Sequence, residues 1–572
     1  MKYLFFLVSF SFNLFSQDLD WLISDFGPIS EIQVNKDNHN LTSRRIRGIK
    51  IVSDTSKVDD VSFRGVDIGD LNVPCPKEFK KLLSCFLGKP LSKALLVEIK
   101  QEILCYYQNC SRPFVKVIIP KQNITQRSLQ IVVLESKLGE IRAVGNCHFS
   151  DKCLISQVCL QPKGPINLSC LVKDLDWINK NPFRQVDAVF VPSIDPEYTD
   201  IELRTCDQAP WRVFGGVENT GLDLTGHNRW FFGFNYGNLF NRGHLFSYQF
   251  TLGSEYSDYW AHSFSYTAPL PNRDTLTLYG GLSEVQAIQV NDNKNALLNI
   301  DSADPSTIIK THGLSVQASL RYEMPVYCIK DLLQEFVFGY DFKHTDTSLT
   351  LDSIPFIGRS VNLTQFMLGY NMGLDGCYGK HALTFEFFFS PFTYLPDSSD
   401  SDFCSLRYDA SNTYVYGRAC YSPVFRLPYC MTFEPIFRWQ LASENLLASE
   451  QIGLGGYNSV RGYQERQINV DNAFVMNLDL KSPRIKLFSR FDASRCVDEG
   501  LIFLAFFDLG YGYNHKILTG EQDSYTLLSI GPGLRYYFDK WVYMRGDFGF
   551  QLHDERFNSR DYMFHFGLVV NY

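Results

Sequence analysis

The chain has 572 residues and a formal net charge of −8, and it is 45% hydrophobic and 15% aromatic, with 47 Phe and 31 Tyr. That length accommodates several domains and a large apolar surface, buried or facing lipid, whereas an acidic balance with no basic stripe sets nucleic-acid binding aside. A mean hydropathy of −0.13 argues against a bundle of membrane helices, and no apolar run reaches the roughly 18 residues that a spanning helix needs.

Met1-Lys2, an apolar run from Tyr3 to Phe15 and then Ser16 read as a secretory signal peptide over residues 1–16. An exported chain without a membrane helix is either soluble or a β-barrel, because only helices and closed barrels satisfy their backbone in lipid. Of the fifteen cysteines, nine fall between Cys75 and Cys206. An oxidising compartment favours pairing, so at least one disulfide is expected in that stretch, and the odd total leaves at least one thiol over. Cys147-His148, Cys153 and Cys159 match no metal-ligand spacing, and no metal or other cofactor is expected.

Residues 17–45 hold a short helix pattern, Asp18 to Phe26, stopped by Gly27-Pro28 and followed by a polar stretch to Arg44-Arg45: a linker or a short plug helix. Two small α/β units follow, residues 46–136 and 137–209, each reading strand, helix, helix, strand, strand. In the first, strands are expected at Ile46–Ser53, Phe114–Ile119 and Ser128–Leu134. Its helices are expected at Pro76–Phe86 and at Ser92–Tyr107, the latter with Leu95, Ile99 and Ile103 on one face. The second repeats the order: Leu138–Val144, helices near Ser150–Leu160 and Asn167–Asn179, then Val186–Pro192 and Thr199–Arg204. Asn181-Pro-Phe-Arg184 reads as a helix stop, since proline disfavours helix in the residue before it, with Phe183 packing under the sheet.

Residues 210–572 read as alternating apolar and polar segments of about ten residues separated by Asn, Gly, Asp and Pro turns, sixteen in all, the pattern of an outer-membrane barrel. Examples are Arg229–Phe240, His244–Leu252, Tyr259–Leu270, Thr275–Glu284, Val361–Leu374 and His381–Phe392. The connection between the eleventh and twelfth strands carries Gly453-Leu-Gly-Gly-Tyr-Asn-Ser-Val-Arg-Gly-Tyr463. Its glycines permit close backbone approach, and its Arg461 offers a rigid fork of donors suited to one carboxylate. No Gly-Lys-Ser/Thr follows, so phosphate binding is not indicated. On the thirteenth strand Phe506, Asp508 and Gly510 alternate with Phe507 and Leu509. The first set is expected to face the lumen, since an aspartate there is far cheaper than one facing hydrocarbon. Tyr562, Phe564, Phe566, Leu568, Val570 and Tyr572 share one face of the last segment.

Val460-Arg461-Gly462-Tyr463 resembles the signature loop of the haemolysin-secretion (ShlB/FhaC/HecB) family of two-partner-secretion translocators. Phe506-Phe507-Asp508-Leu509-Gly510 is similar to that family's Phe-x-Asp motif on the barrel wall. The likeness extends along nearly the whole mature chain. Phe86-Leu-Gly-Lys-Pro-Leu-Ser92 and Ile119-Pro-Lys-Gln122 resemble the first POTRA (polypeptide-transport-associated) domain, and Trp177-Ile-Asn-Lys-Asn-Pro-Phe-Arg184 the end of the second. Gly216-Val-Glu-Asn-Thr-Gly221, Thr225-Gly226 and Arg229-Trp230 resemble the first barrel hairpin. Gln126, where the family usually has glycine, Cys110 in the turn after the second helix, and the abundance of cysteine depart from the pattern.

The resemblance implies a transmembrane β-barrel of sixteen antiparallel strands behind two POTRA domains, in the outer membrane of a Gram-negative bacterium with the POTRA domains in the periplasm. It implies a non-enzymatic, monomeric translocator that exports an unfolded, haemolysin- or adhesin-like partner exoprotein. Val460, Arg461, Gly462 and Tyr463 would form a re-entrant gate, with Phe506, Asp508 and Gly510 as its partners on the wall. Phe114, Val115, Lys116, Val117 and Ile118 would offer a sheet edge to the client. Phe564, Phe566, Leu568 and Tyr572 would signal barrel assembly, engaging periplasmic chaperones and the assembly machinery and then membrane lipid. The competing reading is a barrel-assembly factor, which shares the Arg-Gly-aromatic loop but usually carries more POTRA repeats.

Overall fold

The computed structural model describes residues 45–59, 62–69, 71–122, 127–222, 225–254, 258–290, 308–326, 332–351, 354–376, 379–391, 394–487, 498–553 and 561–572. The signal peptide and all but the last residue of the expected linker or plug helix lie outside the described residues. The chain divides into two units, Met1–Ala209 and Pro210–Tyr572.

The first unit contains two α/β modules. The first comprises β1 (Gly48–Val52), β2 (Gly65–Asp67), α1 (Pro76–Ser84), α2 (Lys93–Asn109), β3 (Val115–Ile118) and β4 (Ser128–Glu135), in a sheet of order β2-β1-β4-β3. β1 runs parallel to β2 and β4, and β3 antiparallel to β4. Helix α2 starts where the Ser92 hydroxyl accepts the Leu95 amide at 3.1 Å. A cap of this kind stabilises a helix by about 1 kcal/mol. Its Leu95, Ile99, Ile103 and Tyr107 recur every four residues and form one buried stripe. The stripe packs in one core with Leu129, Ile131 and Val133, alternate residues of β4. Strand β2 was not legible in the sequence, being three residues long.

The second module comprises β5 (Lys137–Val144), α3 (Asp151–Ile155), α4 (Leu168–Ile178), β6 (Arg184–Pro192) and β7 (Tyr198–Asp207), in the order β5-β7-β6. Helix α3 is a single turn and stops well short of the expected Leu160. Helix α4 stops at Ile178, ahead of Pro182. Phe183 is 3% exposed, its amide held by Asn181 Oδ1 at 3.1 Å. Arg184 donates to the Ile178 carbonyl at 3.2 Å and to Gln157 Oε1 at 2.8 Å, so this segment is tied into the module's own core.

The cysteine expectation needs correction. Among the described residues no disulfide is present, and Cys75, Cys85, Cys105, Cys110, Cys147, Cys153 and Cys206 carry free thiols. Abundance and compartment favour pairing, but a disulfide also requires matched Cβ positions, and cysteine counts contain no information about those.

The second unit is a closed sixteen-stranded barrel. In chain order its strands are β8 (Trp211–Glu218), β9 (Arg229–Leu239), β10 (His244–Leu252), β11 (Tyr259–Pro269), β12 (Thr275–Val290), β13 (Ile308–Val326), β14 (Leu332–Leu351), β15 (Ile354–Gly376), β16 (Gly379–Ser390), β17 (Tyr414–Arg426), β18 (Thr432–Ala442), β21 (Asn472–Lys481), β22 (Glu499–Tyr513), β23 (Ser524–Phe538), β24 (Val542–Gln551) and β25 (Tyr562–Asn571). A short helix, α5 (Asp400–Leu406), lies between β16 and β17, and a hairpin of β19 (Ile452–Leu454) with β20 (Ile468–Val470) lies between β18 and β21. All neighbouring barrel strands are antiparallel, and β25 closes the ring by pairing Gly567–Asn571 with Glu218–Phe214.

Strands β12 to β15 have 16, 19, 20 and 23 residues, well beyond the roughly 9–11 that cross a bilayer. The segments expected at Thr275–Glu284 and Val361–Leu374 fall within β12 and β15 but are shorter than those strands. Alternation sets the two faces: Trp230, Phe232 and Phe234 of β9 are exposed on the outside while Arg229 is buried, the arrangement of a lipid-facing wall around a polar lumen. Trp211 and Tyr572 lie at one end of the barrel, and Tyr572 packs between Trp211 and Trp541 at ring distances of 5.9 and 5.7 Å. Such aromatic clusters mark the membrane–water interface. Because the strands alternate in direction, the β16–β17, β18–β21 and β22–β23 connections all leave from the opposite end.

Candidate functional site

The connection between β18 and β21 folds back into the barrel. Its hairpin pairs Ile452 with Val470 and Leu454 with Ile468, and the turn between them carries Val460 to Tyr463. Asp508 lies five residues from the end of β22, about 17 Å down the wall, and Arg461 reaches it. The Arg461 Nε donates to Asp508 Oδ2 at 2.7 Å, Nη2 donates to Oδ1 at 2.8 Å, and the backbone amide donates to Oδ2 at 3.0 Å. Phe506, two residues away on the same face, lies under the guanidinium at 3.7 Å. Arg461 is 5% exposed and Asp508 0%.

The arginine has more partners than the sequence reading assigned. Its Nη2 also donates to Asp479 Oδ1 on β21 at 2.6 Å, and Nη1 lies 3.7 Å from Asp547 Oδ1 on β24. Asp547 in turn receives both terminal nitrogens of Arg535 on β23 at 2.9 Å, and Asp508 Oδ1 accepts Asn477 Nδ2 at 2.7 Å. Three carboxylates and two guanidiniums therefore share one largely buried patch of wall. A bidentate, charge-assisted arrangement of this sort fixes geometry as well as charge.

The residues flanking Arg461 complete the fit. Gly462 has φ +92 and its backbone lies directly against that of Gly549 on β24, where an added Cβ would sit 2.5 Å from the Gly462 nitrogen. The Gly462 amide donates to His565 Nε2 at 3.0 Å, and its carbonyl accepts Gln551 Nε2 at 2.7 Å. His565 therefore presents an unprotonated Nε2 to the loop. Tyr463 is 1% exposed and its hydroxyl donates to the His553 carbonyl at 2.6 Å. Val460 packs into the place a Cβ on Gly510 would take, 2.7 Å from Val460 Cγ2, and Leu454, Val460, Tyr463, Val470, Val475 and Leu527 form an apolar cluster around the hairpin.

Asp479, Asp547, Gly549 and His565 were not singled out in the sequence. A signal was present for the titratable three: Asp479, Asp547 and His565 stand at inward-facing positions of alternating strands, where a charge is tolerated only on the lumen side.

The remaining sequence candidates lie elsewhere. Strand β3 is at the edge of its sheet, but its side chains are engaged: Val117 is 3% exposed in the core, and the Phe114 ring is 4.4 Å from that of Phe190 on β6. Val115 and Ile118 are half-buried, and Lys116 is exposed. On β25 Phe564 and Tyr572 are exposed, and Phe566 and Leu568 are half-buried, all on the outer face. Among the described residues no His, Cys, Asp and Glu grouping has the makings of a metal site.

The chain is similar to several known proteins. The profile of the haemolysin secretion/activation protein family ShlB/FhaC/HecB matches residues 409–536, a stretch containing both the re-entrant loop and Asp508. The heme/hemopexin transporter protein HuxB of Haemophilus influenzae strain 86-028NP is 23% identical over 480 residues, covering 80% of this chain and 78% of that protein. The structure of CdiB from Escherichia coli superposes with a TM-score of 0.73 at 16% identity, over 96% of this chain and 93% of CdiB. CdiB from Acinetobacter baumannii gives 0.64 at 15% identity, over 92% and 90%. With a sixteen-stranded barrel after two α/β modules and a family match over the stretch that carries its lumenal loop, this chain resembles the ShlB/FhaC/HecB haemolysin secretion/activation proteins.

Proposed function

We propose that the protein receives an unfolded, haemolysin- or adhesin-like exoprotein in the periplasm and passes it through the barrel to the cell surface, with the β18–β21 loop as the gate. The observation that carries this reading is the loop itself, which fills part of the lumen and is held there by Arg461 on Asp508, Asp479 and Asp547. A barrel of this size left empty would be an aqueous channel, so an exoprotein can pass only when the loop shifts. The open edge of β3 supports client capture by strand addition through its backbone, since its side chains are mostly engaged. The outer face of β25, with Phe564, Phe566, Leu568 and Tyr572, suits recognition by chaperones and assembly machinery before the monomeric barrel enters lipid.

The test is co-expression with a candidate exoprotein, sought as a large secreted chain encoded by a neighbouring gene, reading the amount of client in the medium. Export that requires the barrel protein and that Arg461→Ala abolishes per molecule of inserted barrel supports the proposal. Normal export in the absence of the barrel protein, combined with loss of other outer-membrane proteins, would instead establish a barrel-assembly factor.

A further inference from the structure

A second constriction lies between the Arg461 cluster and the barrel end from which the β16–β17 and β18–β21 connections leave. Helix α5, in the β16–β17 connection, opens with a capping box in which Ser399 and Asp402 bond each other's backbone. Phe403, 1% exposed, enters an apolar cluster with Leu446 and Leu447, from the root of the re-entrant loop, and with Leu363, Met367 and Phe388 of the inner wall. Arg407 forks onto Asp471 at 2.5 and 2.8 Å and also donates to the Leu446 carbonyl. Asp471 is 0% exposed and also accepts the amides of Leu446 at 3.0 Å and His515 at 3.2 Å, so one carboxylate joins three connections at this end of the barrel. Glu450 ties the loop root to the wall by accepting Lys343 Nζ at 2.5 Å, Gln365 Nε2 at 3.1 Å and Tyr416 Oη at 2.7 Å. None of these groups takes part in the Arg461 cluster.

A seven-residue helix cannot hold itself together. Among the described residues no strand ladder ties residues 394–413 to the wall; the links are side chains, a bridge of Ala410 with Asn445, and the Asn362 amide on the Asp397 carbonyl at 2.9 Å. Elements attached in this way open at lower cost than the barrel they rest on. We propose that α5 with its connection and the root of the re-entrant loop form a second, outer gate, latched by Arg407 on Asp471, which the emerging exoprotein lifts after it has displaced the Arg461 layer. The proposal rests on the translocator reading for what passes, but the gate itself is a property of the barrel.

Two variants test it. Ser360 Oγ and Asp397 Oδ2 are 3.3 Å apart, so Ser360→Cys with Asp397→Cys can clamp the α5 connection to β15, the bond being verified by mass spectrometry. In planar bilayers the oxidised variant should lose its spontaneous openings and regain them on reduction, and in cells export should stop and resume in the same way. Conversely, Phe403→Ala with Arg407→Ala should raise open probability and uptake of a large antibiotic by roughly tenfold or more, because it unseats a buried ring and breaks the pair on Asp471, in protein that still shows a heat-modifiable barrel. Wild-type openings from both the clamped and the unlatched protein would overturn the outer gate. Redox control of openings in a protein that exports nothing even when reduced would leave the gate standing and remove the translocator reading.

Discussion

Arg461 and Asp508 are not equivalent halves of a pair. Removing the arginine side chain takes the guanidinium away from both Asp508 and Asp479 and leaves Asp547 to Arg535 alone. Removing the aspartate leaves Arg461 still between Asp479 at 2.6 Å and Asp547 at 3.7 Å. Breaking one side of a buried pair costs about 3–5 kcal/mol, and here the larger cost falls on the arginine variant. Arg461→Ala should therefore reduce both export and heat-modifiable barrel more than Asp508→Ala does. The double variant should recover part of the barrel lost in Arg461→Ala, because it deletes one of the stranded charges. Additive losses in the double variant, or a worse Asp508→Ala, would refute this view of the cluster. Gly549→Ala is a sharper probe still: its Cβ would collide with the Gly462 backbone, so channel conductance should change while the amount of inserted barrel does not. The Arg461 and Asp508 contact could be anticipated because each sits in a short recognisable motif. For Asp479 and Asp547 the alternating pattern gives the lumen face but not the partner, because each is a single acid outside any motif. Only the curvature of the wall brings β21, β22 and β24 around one guanidinium.

At the scale of elements, alternation with period two and the four-residue stripe of α2 made most strands and helices legible, since both patterns follow directly from burying one face. What escaped was short or local: β2, the early end of α3, and α5. The last had a readable signal in Ser399 and Asp402, three residues apart at a helix start, hidden within a connection between strands. The disulfide expectation failed for a different reason, because pairing depends on three-dimensional placement that residue counts lack. The closing strand yields a prediction of its own. The β25–β8 seam pairs only Gly567–Asn571 with Glu218–Phe214, and Tyr572 extends it by exchanging backbone hydrogen bonds with Val213 at 2.8 and 3.0 Å. Deleting Tyr572 removes those bonds and the ring between Trp211 and Trp541. The yield of heat-modifiable barrel in the membrane should fall, while export per inserted molecule stays at the wild-type value. Tyr572→Phe, which keeps the ring, should insert normally; an equal loss from both changes would show that the hydroxyl, not the seam or the ring, matters.

For the molecule as a whole, the important feature is that the re-entrant connection spans the lumen from wall to wall. Its root is held by Glu450 on β14, β15 and β17, and its tip by Arg461 and Gly462 on β21, β22 and β25. A strap fixed at both ends divides the lumen, and it need not be part of the barrel's own folding core, which is the continuous ring of strand pairs. That separation can be tested by excision. Leu454 and Ile468 are directly paired, so Gly455–Gln467 can be replaced by Asn-Gly, a two-residue turn suited to a hairpin. Asp508→Asn is added so that the fully buried carboxylate is not left without its arginine. The shortened protein should still close as a heat-modifiable barrel and should conduct steadily at a higher level than the wild type, because a lumen this wide conducts when cleared. It should nevertheless fail to export, since the loop that shapes the path has gone. A shortened barrel that conducts like the wild type would mean that the strap does not obstruct the lumen. One that exports at the wild-type rate would mean that the loop is a stopper only, with no part in guiding the client.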